Sequence, residues 1–261
     1  MVNAVLGPAR SRRQLRDFVW TLVRTDFKAR YHGALSGFLW ALLKPLLMFL
    51  VLIGVFSFIF RDKTYLFNLL IGLLLWDFFS EGTRTGVQAL RSKSFLLTKA
   101  RFPHWIVVAT SASNAVVTLF VYSLAIVIVL SVTRGLPWAP GLLLFVWYLV
   151  QYFFIVLGFS LGASVLLLRY RDLDQIWDVV LQAGFFLTPI FYPLRIMPER
   201  YHIFLYAWPV TPVVQFTRMV LIERHAPTLR ANLLLFGVTL FIFVTGALLF
   251  RRHAPRAIER L

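Results

Sequence analysis

The sequence predicts an all-α integral membrane protein of six transmembrane helices. An amphipathic interface helix precedes them, and short re-entrant helices lie between spans five and six. Three observations lead there. Six apolar stretches cover 35–60, 65–83, 105–132, 141–168, 173–191 and 231–250. Hydrophobic residues make up 59% of the chain and charged residues only 15%, far from the balance of a soluble domain. With the N-terminus inside, 18 of the 27 Lys and Arg fall on inner connections, the bias that sets orientation through short loops. The organisation expected is a cytoplasmic segment 1–32, one transmembrane domain 33–252 and a cytoplasmic tail 253–261.

About 20 apolar residues cross about 30 Å of hydrocarbon. Four stretches meet that length easily. The second loses its apolar character at Ser80, and the fifth has an uninterrupted run only from Val179 to Phe191. The formal net charge of +16 is accounted for by topology and anionic lipid. A nucleic-acid partner is not expected, because the basic residues are not gathered on one foldable domain. With no cysteine in the chain, disulfides and thiolate metal sites are excluded. The first thirty residues are basic without a continuous apolar core, so no cleavable signal is expected.

Before the first span, Leu15, Phe18, Val19, Leu22, Val23, Phe27 and Tyr31 recur at helical spacing, while Arg13, Arg16, Asp17, Arg24 and Lys28 take the opposite face. That is an amphipathic helix, with Ser11 and Gln14 placed as a capping box. It suits either a lipid-surface anchor or a docking surface for a soluble partner. The first span contains Lys44 and Pro45. An ionisable residue there is a functional candidate, and snorkelling to the headgroups is the alternative. Asp77 and Glu81 share one helical face at the end of the second span, with Arg84, Arg91 and Lys93 as possible partners. The basic, partly apolar segment 91–103 then reads as one or two helical turns lying across the inner surface.

Thr110, Ser111, Ser113, Asn114 and Thr118 put small polar groups in the third span, suited to helix packing or to a hydrated path. In the fifth, Asp174, Asp178 and Gln182 form a polar row that lipid would reject. The row either packs on neighbouring helices or lines the mouth of a conduit. From 192 to 228, Pro193, Pro198, Pro209 and Pro212 cut the chain into pieces too short to cross. They are expected to dip into the outer leaflet and return, with backbone covered by protein. Tyr192, Tyr201, Tyr206 and Trp208 suit either a headgroup belt or stacking on sugar faces.

No P-loop is possible, since none of the five lysines follows a glycine. No H-E-x-x-H occurs, and the five histidines are scattered. Neither a catalytic nor a metal site is therefore expected. A membrane transferase would need a His/Asp or carboxylate cluster. A secondary carrier would show repeated halves. The chain is expected to borrow its energy from another subunit.

Several blocks resemble the type-2 permeases of ABC transporters that export lipid-linked polysaccharides. They are RYHGALSGFLW from Arg30 to Trp40 with Leu43, Pro45 and Leu46, then GLLLWDFFSE from Gly72 to Glu81, then Leu96-Leu97-Thr98-Lys99 and Phe102-Pro103. Tyr170-Arg171-Asp172-Leu173, FLTPIFYP from Phe186 to Pro193, Pro209, Pro212 and Arg218 complete the set. Trp208, and Ser92 with Ser94, stand where the family often has Asn.

The resemblance implies two copies of this chain with two copies of a separate ATP-binding subunit, which would hold ATP and Mg; no cofactor is implied on this chain. It implies that Arg13, Arg16, Arg24, Lys28, Ser94, Phe95, Lys99, Arg101, Phe102 and Pro103 meet that subunit. A re-entrant exit would be built around Pro189, Pro193, Pro209 and Arg218. The cargo implied is undecaprenyl-diphosphate-linked O-antigen, with teichoic acid, capsule, or a drug or small lipid as alternatives. Arg30, Lys44, Arg169 and Arg171 are candidates for its phosphates, and Tyr31, Trp40, Asp178 and Tyr192 for its path. The location implied is the bacterial inner membrane, with both termini cytoplasmic.

Overall fold

A computed structural model describes residues 12–31, 37–62, 64–99 and 102–258. Its regular structure is helical throughout the described residues, in the order α1 (Arg12–Tyr31), α2 (Gly37–Phe56), α3 (Tyr65–Ser92), α4 (Ser94–Lys99), α5 (Trp105–Ser111), α6 (Ser113–Arg134), α7 (Ala139–Arg169), α8 (Leu173–Leu187), α9 (Glu199–Ala207), α10 (Val210–Arg218) and α11 (Leu229–Ile258). A 3₁₀ turn, Leu194–Ile196, precedes α9, and a π turn, Met219–Glu223, follows α10. Ser11 of the expected capping box, residues 32–36 of the RYHGALSGFLW block and Arg101 lie outside the described residues, as do the side chains of Arg30, Tyr31 and Lys99.

Four helices are long and apolar enough to cross a membrane: Tyr65–Ser92, Trp105–Arg134, Ala139–Arg169 and Leu229–Ala257. The second of these comprises α5 and α6, which run on through Ala112. The stretch Leu43–Phe56 of α2 is a shorter apolar helix. The 31 residues of α7 make a rod of roughly 46 Å, longer than the hydrocarbon layer. Local chemistry sets the ends. Gly135, at φ 80°, closes α6 in the backbone region that glycine enters freely. Pro140 enters α7 in its first turn, where its missing N–H costs nothing.

Two expected boundaries change. The second stretch was placed at 65–83, but α3 continues to Ser92, its last turns carrying Arg84 and Arg91 to α8. The fifth was placed at 173–191, but α8 stops at Leu187 after 15 residues, about 22 Å. Thr188 precedes Pro189, whose ring disfavours the helical region for the residue before it. Thr188 is accordingly extended, at φ −74° and ψ 128°.

Most of the described core falls into two clusters along α3 and α7, with a small third one of Val87, Ala163 and Leu167. One gathers Leu69, Ile71, Leu75 and Phe78 of α3 with Ile126, Tyr148, Tyr152, Ile155 and Val213. Tyr152 Oη also donates to the carbonyl of Leu75 at 3.0 Å. The other gathers Leu22, Leu90, Leu97, Phe102, Ile106, Val165, Phe250 and Ala254. Between them α7 and α11 touch backbone to backbone: a Cβ on Gly246 would lie 1.8 Å from the carbonyl oxygen of Gly158. Only glycine permits that approach.

Candidate functional site

Three places stand out: a basic face at the end bearing α1 and α4, a groove beside α2 and α8, and a buried cation at the end bearing α9 and α10.

The apolar stripe of α1 does not simply face lipid. Phe18, Val19 and Leu22 join the second core cluster, with the Phe18 ring 4.7 Å from that of Phe102. Lys93, at the α3–α4 junction, bonds Asp26 of α1 and donates to Ser111 Oγ of α5 at 3.0 Å. α1, α4 and α5 are thus tied at one point. Arg13, Arg16, Arg24 and Lys28 remain exposed, as do Pro103 and Phe95, at 65%. Phe102 is buried and packs beneath α1.

The polar row of α8 packs on α3. Asp178 pairs with Arg84 at 2.8 Å and Asp174 with Arg91 at 3.4 Å. Between them Trp177 stacks on Phe159 at 4.1 Å and donates from Nε1 to Thr83 Oγ1 at 3.1 Å. Asp77 accepts a hydrogen bond from Tyr122 Oη at 2.7 Å. Arg169 and Arg171 are exposed at the α7–α8 turn.

A groove of about 720 Å³ lies between α2, α3 and α8. Trp40, Lys44, Asp77 and Ser80 put polar or amphipathic groups on otherwise apolar walls. Of the sequence candidates for the path, the structure brings Trp40 and Lys44 together here. Asp178, Tyr192, Arg169 and Arg171 are not among its described lining residues. Tyr192 instead donates to the carbonyls of Phe186 and Leu187, at 3.1 and 3.2 Å, closing the end of α8. Both helices flanking the groove turn apolar side chains outward: Leu47, Val51 and Val55 from α2, Ile176, Val179 and Phe186 from α8.

At the opposite end the Arg218 guanidinium is buried and surrounded by backbone. Nη1 donates to the carbonyl of Pro189 at 2.7 Å. Nη2 donates to the carbonyls of Ile190 at 2.9 Å and Asn68 at 2.6 Å, and Nε also reaches Asn68 at 3.1 Å. The carbonyls of Pro189 and Ile190 belong to the turn that follows α8. Tyr65 Oη takes the next, Phe191, at 2.8 Å. Gly72 provides the room, since a Cβ there would lie 2.7 Å from Nη2. Arg218 therefore fastens α10 to α3 and to the turn after α8. Nearby, Thr188 Oγ1, Trp208 Nε1 and Gln215 Nε2 are buried without a protein partner. Trp208, placed where Asn is often found, packs its ring on Phe79 at 5.9 Å.

Sequence reasoning picked out Arg218 only through its block, and it missed the Lys93–Asp26 tie. Among the described residues no group of three or more His, Asp or Glu could hold a metal ion.

Long apolar helices enclosing polar side chains and a wholly buried arginine define a multi-pass integral membrane protein. The ABC-2 type transporter pattern matches residues 17–222, and the chain belongs to that family. Among its relatives is an O-antigen export system permease protein of Myxococcus xanthus, 29% identical over 95% of this chain and 96% of that protein. A Klebsiella pneumoniae protein of the same description is 25% identical over 76% of this chain and 75% of its own length. A polysialic acid transport protein of Escherichia coli is 24% identical over 77% of this chain and 79% of its own.

Proposed function

We propose that the chain is the channel-forming permease subunit of an ATP-driven polysaccharide exporter in the bacterial inner membrane. Two copies pair with two copies of a separate ATP-binding subunit, which carries the nucleotide and Mg. In this reading α2 and α8 complete six crossings, both termini are cytoplasmic, and α9 and α10 are re-entrant helices of the outer leaflet. The cargo is a lipid-linked glycan, with undecaprenyl-diphosphate-linked O-antigen first among the candidates.

One observation carries the reading: the groove between α2, α3 and α8 is open on one side. Its flanking helices present apolar side chains outward, while Lys44, Asp77 and Ser80 lie in the recess. A single copy would expose that polar row to lipid, which is unfavourable. A second copy facing it would enclose a continuous path. The names of the relatives support the cargo class, and the exposed basic face of α1 beside Phe95 supports docking of the ATP-binding subunit.

In operation, closure of the ATP-binding subunits would push on α4 and α1. The Lys93–Asp26 tie would pass that push to the ends of α3 and α5. Lys44 would meet phosphate as a point charge, and Arg30, Arg169 and Arg171 would do so nearer the cytoplasmic surface. The test is surface glycan display in a strain lacking this gene and complemented with variants. Display should vanish in the deletion strain and fall with Lys44→Ala or Arg171→Ala at normal protein levels. Unchanged glycan in the deletion strain overturns the cargo. Unchanged glycan in both variants removes these residues from the path.

A further inference from the structure

We propose that the crevice between α5, α7 and α11 is a binding site for an anionic phospholipid, one acyl chain lying in the crevice and the phosphate at its rim. It follows from the membrane character of the chain and does not depend on what is exported.

The crevice has a volume of about 430 Å³, and none of its described lining residues belongs to the α2–α8 groove. Leu157 and Leu161 of α7 with Phe243 and Phe250 of α11 form an almost wholly apolar floor. Arg251 and His104 stand at one end, and Trp105, 53% exposed, flanks them. Phe243 is eight residues from Arg251 along α11, about 12 Å. The crevice therefore runs from a basic rim into the hydrocarbon depth of three helices long enough to span. The tryptophan sits where amphipathic rings collect at a headgroup level.

Charge selects the occupant. Arg251 is followed by Arg252 on the same exposed turn, and no described lining residue is acidic. Burial keeps the His104 imidazole below its usual pKa, so its part is a hydrogen bond, and Arg251 supplies the charge. Basic pockets between membrane helices retain acidic headgroups, each cation near the surface contributing about a fivefold factor. A zwitterionic lipid would fill the floor equally well, but its own cation would offset what its phosphate gains at the rim. The floor accounts for the chain and the rim for the headgroup.

The test uses the full-length permease purified in mild detergent, with retained phosphatidylglycerol and phosphatidylcholine compared by native mass spectrometry. Phosphatidylglycerol should be retained several-fold better. Arg251→Gln should lower that preference about fivefold and leave phosphatidylcholine unaffected. Arg134→Gln, an exposed arginine at the other end of the bundle, should change neither. Phosphatidylglycerol brominated along its chain should quench a component of fluorescence that Trp105→Phe removes. Ala247→Trp, which fills the crevice, should reduce binding of both lipids. Equal retention of the two lipids by the wild type overturns the proposal, as does full selectivity in Arg251→Gln.

Discussion

The two ends of the bundle are held by opposite kinds of polar contact. At the α9–α10 end a buried guanidinium is satisfied by carbonyls of Asn68, Pro189 and Ile190. At the α1–α4 end Lys93–Asp26, Arg84–Asp178 and Arg91–Asp174 join side chain to side chain. The carbonyls are fixed by the backbone that carries them, so the first arrangement has one geometry. Of the ion pairs, Arg84–Asp178 and Arg91–Asp174 lie nearer water, where such pairs exchange partners at small cost. One end has a single geometry, and the other can be rearranged.

The sharpest way to break the contrast is Arg218→Met. Three carbonyls would lose their donor, each at about 1–3 kcal/mol. The detergent-purified protein should unfold at a much lower temperature or fail to accumulate. Arg218→Lys should recover only part, because an ammonium does not reproduce the planar fork. Gly72→Ala should come next, at about 1–3 kcal/mol, because its Cβ would meet both Nη2 and the Ile190 backbone, at 2.7 and 3.2 Å. Gly54→Ala, with nothing within 4 Å, is the control and should gain about 0.5–1 kcal/mol.

At the other end a double-mutant cycle on Lys93→Ala and Asp26→Ala should give a coupling of about 2 kcal/mol, since both side chains are mostly buried. The smallest effect belongs to Arg84→Gln. Its pair with Asp178 is about half exposed on both sides, so the loss should stay within about 1 kcal/mol. It should fade in 1 M salt. An Arg84→Gln cost as large as that of Arg218→Met would erase the distinction between the ends.

Much of this was legible in the chain. Hydropathy located the long helices, and the row of Asp174 and Asp178 demanded partners that α3 supplies. Helical spacing found the stripe of α1. The end of α8 was written in Pro189, but hydropathy ran on through Thr188 to Phe191 and concealed it. The partners of Arg218 could not be read, because they are backbone carbonyls as far as 150 positions away, and a carbonyl has no side-chain signature. Lys93 offered too many carboxylates to choose among. Only the folded α1 puts Asp26 within its reach.

The contact of Gly246 with Gly158 has a mechanical corollary. Two rods whose peptide groups touch have no compliant layer of side chains between them, so α7 and α11 should travel as a single mast. Under the proposed function, any opening movement would fall on other helices, and enlarging Gly246 would splay the mast.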